Sequence, residues 1–165
     1  MKLVLDQFEN QLLDDAWEQM TEDQTRLSEF VKLRNTRLSN EDWFEWELYY
    51  RLLRNDRGWL KDKRNRREKN RQRGDGVDLQ FSNGKFIELR VKTTEETSMD
   101  HVLDGLTEHR DADACLFLAL NYENLKNWLE KHKITEGKII YRKQYFEIKM
   151  KDINDDWIVG IVKEI

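Results

Sequence analysis

The sequence predicts a single α/β domain, and three observations lead to that prediction. The chain has 165 residues, which is long enough for one hydrophobic core and too short for two ordinary domains. Apolar residues recur at helical spacing through the first third of the chain, and beyond Gly76 they alternate with polar residues as in strands. A further helical segment then leads to the apolar run from Ala114 to Leu120. Such an order of helices and strands is typical of α/β folds.

Three helices are predicted ahead of the first strand, from apolar residues that recur every three or four positions. The second and third begin at Thr21 and Ser39, each followed three residues later by a residue typical of a helix start. We treat residues 1–38 as an N-terminal helical appendage, which we expect to serve as a lid or as the contact of a homodimer. The predicted helices cover about residues 3–20, 21–33 and 39–53.

Two strands, residues 77–81 and 86–92, are predicted on either side of Asn83-Gly84, a dipeptide that strongly favours a tight hairpin. In the second strand apolar and charged residues alternate, so that one face of the sheet is apolar and the other is charged. Such a charged face is most often the solvated side of a sheet. The apolar positions are Ile87, Leu89 and Val91, and the charged positions are Glu88, Arg90 and Lys92.

The remaining elements complete a core that we assign to residues 41–132. The strand 114–120 is uninterruptedly apolar, which predicts burial on both faces, and its Cys115 is interpreted as a buried thiol. After Gly137 three short strands predict a small antiparallel β addition over residues 137–165. The predicted elements are helices at 98–110 and 122–132 and strands at 114–120, 138–141, 145–149 and 157–162.

The charge distribution predicts a basic arm on an acidic body. The net charge is -4, yet residues 61–73 carry eight basic residues against two acidic ones. A short block of like charge indicates a solvated segment that contacts an anionic partner, and we expect nucleic-acid phosphates in that role, with a mobile loop as the alternative. The acidic remainder excludes a histone-like coating protein. The predicted phosphate-binding residues are Lys61, Lys63, Arg64, Arg66, Arg67, Lys69, Arg71 and Arg73.

Two carboxylates are candidates for a divalent metal site. Mg²⁺ and Mn²⁺ require hard oxygen ligands, commonly one or two carboxylates together with water and substrate oxygens. The Asn-Gly hairpin would bring Asp78 and Glu88 onto neighbouring strands, facing one side of the sheet. Arg90 and Lys92 follow Glu88 on the same face and are placed to hold an attacking water or to stabilise charge at phosphorus.

The three histidines, His101, His109 and His132, are not predicted to bind a metal. They lack the spacing of four residues that a helical zinc site requires, and no paired cysteines accompany them. We therefore expect them at the surface.

The strand residues resemble the PD-(D/E)xK, or restriction-endonuclease-like, nucleases. The resemblance lies in Asp78, nine intervening residues and Glu88-Leu89-Arg90, followed by a helix and a buried strand. It implies an αβββαβ core, Mg²⁺ or Mn²⁺ held by Asp78 and Glu88, a contribution from the Leu89 carbonyl, and a third carboxylate from the preceding helix, either Glu47 or Glu45.

The chain departs from that family pattern at two positions. Arg90 stands where the family has lysine, and arginine cannot release a proton near neutral pH, so Lys92 would have to replace that lysine or catalysis would be weakened. Val77 stands where the family has proline.

The resemblance leads to one expected function and two alternatives. We expect a metal-dependent endonuclease or phosphodiesterase that acts on nucleic acid, DNA rather than RNA. The alternatives are a weak or inactive protein of the same fold that binds nucleic acid or a protein partner in a regulatory role, and an interaction protein whose acidic surface mimics nucleic acid. No apolar run is long enough to span a bilayer, and we expect a cytoplasmic protein without a membrane partner.

Overall fold

The computed structural model describes residues 5–22, 24–25, 29, 47, 50, 79–81, 83–92, 99–108, 112–120 and 122–165. These residues form a mixed α/β structure with three complete helices and one seven-stranded sheet. Among the described helices, none combines the length and the apolar character needed to cross a membrane. The elements are α1 (Gln7–Glu22), β1 (Leu79–Gln80), β2 (Phe86–Lys92), α2 (Asp100–Glu108), β3 (Ala114–Leu120), α3 (Tyr122–His132), β4 (Lys133–Thr135), β5 (Lys138–Tyr141), β6 (Gln144–Asp152) and β7 (Trp157–Glu164).

The sheet has the strand order β1-β2-β3-β7-β6-β5-β4. β2 and β3 are parallel and are joined through α2, whereas every other neighbouring pair is antiparallel. A parallel pair needs a crossover connection, and α2 supplies it. The hairpin β1-β2, the helix α2 and the strand β3 therefore follow one another as predicted, and the described residues do not confirm the predicted αβββαβ core.

The core lies on both faces of this sheet. α1 packs on one face, where Leu12, Leu13 and Ala16 meet the apolar residues of β2, β3 and β7. α2 and α3 pack on the other face, where Leu103 and Trp128 meet side chains from β3 and β5 to β7. Helices on both faces of a central sheet make a three-layer arrangement.

The central strand β3 is buried on both sides, as predicted from its apolar run. Ala114, Leu116 and Leu118 point to the α1 face, and Cys115 and Phe117 point to the face of α2 and α3. Cys115 has no exposed surface and forms no disulfide, which confirms the prediction of a buried core thiol.

The hairpin between β1 and β2 is also confirmed. Phe81 N donates to Lys85 O at 2.9 Å and Gly84 N donates to Phe81 O at 3.0 Å. Gly84 has φ of 87°, a left-handed conformation that glycine adopts without steric cost. The Asn83 side chain supports the turn by accepting from Lys85 N at 3.0 Å.

The three predicted C-terminal strands exist and are antiparallel to their neighbours, and they belong to the same sheet as β1 to β3. β7 pairs with β3 along six residues, so that β4 to β7 extend the same sheet. The sequence does not predict the strand β4, because three exposed residues are too few to establish a periodic pattern. Alternation shows that a segment is a strand, whereas the choice of neighbour depends on contacts between distant segments.

The predicted start of a second helix at Thr21 is wrong. Thr21 lies within α1, which extends to Glu22, and its hydroxyl donates to Glu18 O at 2.9 Å. A threonine hydroxyl can satisfy a carbonyl of the preceding turn as well as cap a new helix, so the residue type alone does not locate the boundary. Most of the predicted second and third helices lie outside the described residues.

α1 is joined to the sheet by charge as well as by apolar packing. Asp6 caps the helix by accepting from Glu9 N at 2.9 Å and forms an ion pair with Lys85 at 3.0 Å. Glu9 accepts from Lys163 of β7 at 2.6 Å, and Lys149 of β6 donates to the side chain of the neighbouring Asn10. The segment 1–38, predicted as an appendage, thus contains a helix that packs within the main core.

Candidate functional site

The candidate site centres on Glu88, in the middle of β2. β2 is paired on one side with β1 and on the other with β3, where Glu88 lies opposite Cys115 and Arg90 lies opposite Phe117. Glu88 and Arg90 therefore belong to the sheet face that α2 covers, while Ile87 faces α1. The predicted segregation of charged and apolar side chains on β2 is confirmed.

Burial distinguishes this pair from an ordinary solvated strand face. Glu88 is 1% exposed and Arg90 is 9% exposed. Removing a charged group from water is costly unless a partner compensates it. The alternative interpretation of the charged face as a solvated surface is therefore wrong for these two residues.

Arg90 supplies the compensating charge. Its Nη1 lies 2.6 Å from Glu88 Oε1, within hydrogen-bond distance. The same nitrogen donates to the main-chain oxygen of Leu89 at 3.1 Å. One cationic nitrogen thus contacts both the carboxylate of Glu88 and the carbonyl of the residue between them.

The two oxygens in contact with Arg90 have the chemistry of a cation site. A carboxylate and a main-chain carbonyl are hard donors of the kind that Mg²⁺ and Mn²⁺ accept. They converge on one position, which the Arg90 guanidinium nitrogen fills. A divalent metal at this position would have to displace Arg90 from the same two oxygens.

Arg90 does not take the place of a general base. Its guanidinium keeps its proton at any physiological pH, and its Nη1 is engaged by Glu88 and Leu89. The arrangement can therefore orient the Glu88 carboxylate and stabilise negative charge, but proton removal requires another group.

The other predicted site residues are placed only in part. Lys92 lies on β2 opposite Ala119, and its side chain is outside the described residues. Glu47 is in helical conformation and half-buried, whereas Glu45 and Asp78 lie outside the described residues. The basic arm, Lys61, Lys63, Arg64, Arg66, Arg67, Lys69, Arg71 and Arg73, also lies wholly outside them.

Within the described part of the chain, no group of three or more His, Cys, Asp or Glu side chains is arranged to hold a metal ion. His132, predicted at the surface, is half-buried and stacks on Trp128 with ring centroids 3.9 Å apart. Its Nδ1 lies 2.8 Å from the Trp128 carbonyl oxygen, so this histidine takes part in packing.

A cavity of about 430 Å³ opens between α3 and the strands β4 to β6. Its lining includes Leu129, Ile148 and Met150, and it does not include Glu88 or Arg90. The buried ion pair and the cavity are therefore separate features.

Sequence reasoning missed other buried carboxylates, among them Glu9. It has no exposed surface, and both of its oxygens lie near Lys163 Nζ, at 2.6 and 3.2 Å, with Lys85 Nζ at 3.8 Å. Burial raises the pKa of Glu9 above its ordinary value, against the opposing effect of Lys163 and Lys85. A signal was present, because Glu9 shares a helical face with Leu5, Leu12 and Leu13.

Comparisons of the chain with protein-family models, with curated proteins and with solved structures found no match.

Proposed function

We propose that the chain is a metal-dependent phosphodiesterase that acts on nucleic acid, with its metal site at Glu88. One observation carries the proposal: Glu88 Oε1 and the Leu89 carbonyl oxygen converge on a single cation position within a buried strand. The resemblance to the PD-(D/E)xK nucleases assigns these same two groups to the metal. The hairpin, helix and parallel strand around them support the proposal, because their order corresponds to the final ββαβ of the family's αβββαβ core.

Asp78 is included in the proposal because of the register of the hairpin. Leu79 is the partner of Ile87 in the antiparallel ladder. A ladder that continues by one residue has Asp78 as the partner of Glu88, and directly opposed residues project to the same face of a sheet. We propose that Asp78 and Glu88 hold the metal together, with Glu47 or Glu45 as the third carboxylate.

The remaining residues have supporting roles in this proposal. A bound metal supplies Lewis acidity and a more acidic water. Arg90 orients the Glu88 carboxylate and, when displaced from it, stabilises charge on the phosphate. Lys92 is proposed to hold the attacking water, and the basic arm at residues 61–73 is proposed to bind backbone phosphates, of DNA rather than RNA.

A second candidate function is favoured by one specific contact. Since Arg90 Nη1 already satisfies both converging oxygens, the arginine can replace the metal permanently. The protein would then bind nucleic acid without cleaving it and would act in a regulatory role.

Cleavage assays with matched variants separate the two candidates. Supercoiled plasmid and single-stranded DNA are incubated with the protein in Mg²⁺ or Mn²⁺, beside Glu88→Gln and Asp78→Asn. Each variant is expected to lower cleavage at least about 100-fold, while Glu164→Gln, an exposed carboxylate on β7, is expected to leave it unchanged. Circular dichroism verifies that the variants are folded. Cleavage that survives both Glu88→Gln and Asp78→Asn would remove the proposed site.

Restoring the family's lysine tests the role of Arg90. Arg90→Lys keeps the positive charge but loses the planar geometry with which the guanidinium contacts two oxygens. We expect tighter Mn²⁺ binding, measured by electron paramagnetic resonance, and faster cleavage. If the wild type neither binds Mn²⁺ nor cleaves, whereas it still binds DNA, the second candidate is correct.

A further inference from the structure

The sheet face that carries Glu88 is closed to solvent, and α2 is part of its cover. Glu88 is 1% exposed and is in register with Cys115, the only cysteine of the chain, which has no exposed surface. Cys115 belongs to one buried cluster with Val102 and Leu103 of α2, and α2 contacts both β2 and β3. A metal ion or a phosphodiester therefore reaches Glu88 only when the cover of this face moves.

α2 has the composition of a helix that opens with little free energy. It has nine residues, Asp100–Glu108, fewer than an isolated helix needs to be stable in water. Gly105 lies in its interior, where glycine destabilises a helix relative to alanine. The helix therefore depends on its contacts with the rest of the fold, and local opening requires least free energy where such contacts are weak.

Long polar contacts join α2 to the β5-β6 hairpin. The Tyr141 hydroxyl donates to Asp104 Oδ1 at 3.5 Å, and Arg142 Nη1 lies 3.5 Å from the same oxygen. Both distances are at the outer limit of a hydrogen bond, and 70% of the Arg142 side chain is exposed, so that solvent screens its charge. We call Asp104, Tyr141 and Arg142 the latch of α2.

The latch includes a strained turn. Arg142 and Lys143 connect β5 to β6 and have positive φ, 49° and 65°, a conformation that disfavours residues other than glycine. The Arg142 guanidinium lies over the Tyr141 ring, 5.1 Å from its centroid. Strain of this kind is concentrated at clamps and switch regions of proteins, and here it accompanies the residues that contact α2.

The helix on the opposite face is attached more firmly. α1 has 16 residues, and its buried Glu9 accepts from Lys163 of β7 at 2.6 Å. Its Leu12 and Leu13 have no exposed surface. We therefore expect α1 and the sheet to stay in place when α2 opens, so that this opening exposes less surface than global unfolding.

We propose that α2 opens from β2 and β3 within the folded protein, that the latch controls this opening, and that the opening admits ligands to Glu88. The last part rests on the proposed function and deepens it by naming how access to that site is regulated. The first two parts concern the fold alone, so they are tested without reference to activity.

Labelling of Cys115 by the disulfide reagent DTNB measures the opening, because this buried thiol has no competitor in the chain. The full chain is labelled at low urea, and the unfolded protein supplies the intrinsic rate. Opening of α2 alone is expected to label Cys115 at least about tenfold faster than global unfolding allows, with a weaker dependence on urea. A rate and a urea dependence equal to those of global unfolding would overturn the proposal.

A pair of identical substitutions tests the latch. Tyr141→Phe removes the hydroxyl that donates to Asp104 and keeps the ring, so labelling of Cys115 is expected to accelerate about two- to tenfold, the effect of a typical hydrogen bond. Tyr145→Phe is the matched control, because Tyr145 is 52% exposed and lies on the opposite face of the sheet. Equal labelling rates in the two variants would overturn the role of the latch.

Asp104→Ala removes the latch from the side of α2. Alanine favours a helix, so faster labelling in this variant cannot result from a poorer helix former. Combining it with Tyr141→Phe is expected to accelerate labelling little beyond Asp104→Ala alone, because both substitutions remove the same contact. Fully additive effects would contradict a shared contact and would overturn the latch.

Mn²⁺ binding connects the opening to the proposed site. A metal that binds only when α2 is open has an apparent affinity reduced by the open fraction. Tyr141→Phe is therefore expected to tighten Mn²⁺ binding, measured by electron paramagnetic resonance, by the factor by which it accelerates labelling. Unchanged affinity in a protein that binds Mn²⁺ through Glu88 would overturn the control of access by α2.

The two proposals fail in different ways. Labelling of Cys115 that depends on the latch, in a protein that binds no Mn²⁺, supports the opening of α2 and removes only the metal site. Mn²⁺ binding that Glu88→Gln abolishes, with labelling indifferent to Tyr141→Phe, supports the metal site and removes only the opening of α2.

Discussion

Two buried carboxylates lie on opposite faces of the same sheet, and their partners differ in kind. Glu9, on the α1 face, is paired with Lys163, 154 residues away in sequence. Glu88, on the α2 face, is paired with Arg90, two residues away on the same strand. The shorter distance to a cationic nitrogen is 2.6 Å in both pairs.

The difference indicates different roles. The Glu9 pair joins a helix to a strand, so its formation requires the tertiary structure and in turn stabilises it. The Glu88 pair joins no two elements, since both partners already share β2. A buried ion pair is weak evidence for stability, because the loss of hydration offsets much of the attraction. The Glu88 pair is therefore not itself a link between two elements, whereas the Glu9 pair is.

The largest effect on stability is expected when one partner of the Glu88–Arg90 pair is replaced. Glu88→Gln removes the counter-charge 2.6 Å from a guanidinium that is 9% exposed. We expect the free energy of unfolding to fall by about 3–5 kcal/mol, the usual cost of removing one partner of a buried pair. Urea denaturation followed by circular dichroism measures it.

Replacing both partners provides the control for this prediction. Glu88→Gln combined with Arg90→Met removes both charges and is expected to recover most of the lost stability. A cost below about 1 kcal/mol for Glu88→Gln alone is typical of solvated ion pairs. It would show that the Glu88–Arg90 pair does not differ from an ion pair at the surface.

A smaller effect is expected from Glu9→Gln. Lys163 keeps 20% of its side chain exposed, so it can regain water once the carboxylate is removed. We expect a decrease of about 0.5–1.5 kcal/mol, typical of a neutral hydrogen bond, because burial offsets the gain from the charge of Glu9 and raises its pKa. Hydrogen exchange is expected to quicken in α1, whereas Glu88→Gln is not expected to change α1 selectively. Glu18→Gln, an exposed position on the same helix, is the control, and faster α1 exchange in that variant would contradict the assignment.

The smallest expected effect is a pH dependence of stability, in which Glu9 and Asp6, two residues that join α1 to the sheet, act in opposite directions. Burial raises the pKa of Glu9 above its ordinary value of 4.5, so the folded protein holds that proton more tightly and stability falls as pH rises through the interval above 4.5. Burial also acts to raise the pKa of Asp6, but the hydrogen bond from Glu9 N and the ion pair with Lys85 outweigh it. The pKa of Asp6 therefore lies below its ordinary value of 3.8, and stability rises with pH up to 3.8.

Together these shifts predict that the contribution of the two residues is greatest between pH 3.8 and 4.5. The free energy of unfolding is measured from about pH 3 to 7. In Glu9→Gln the decrease in stability above pH 4.5 is expected to be absent. In Asp6→Asn the increase in stability as pH rises to 3.8 is expected to be absent. Identical profiles for wild type and Glu9→Gln would show that the Glu9 carboxyl titrates alike in the folded and unfolded protein.

Local patterns predict much of the described structure. The Asn83-Gly84 turn, the alternation along β2 and the apolar run of β3 depend on neighbouring residues, and all three are found. The end of α1 and the strand β4 are not located correctly by such patterns, because helix ends and short edge strands leave weak periodic signals.

The sequence predicts which residues form the candidate site, but it only partly predicts the surroundings in which they lie. That Glu88 and Arg90 share a face follows from the period of two along a strand. That both are buried, with Arg90 Nη1 against Glu88 Oε1 and Leu89 O, does not follow from it, because burial depends on which helices cover that face.

Periodicity, turn chemistry and charge therefore determine where the strands begin, which side chains face together and where the cations are concentrated, since each depends on residues a few positions apart. The order of strands in the sheet, the attachment of α1 to Lys163 and the burial of Glu88 are properties of the folded chain. They arise only when segments separated by up to 154 residues come into contact, because they depend on interactions between segments and not on interactions within any one of them.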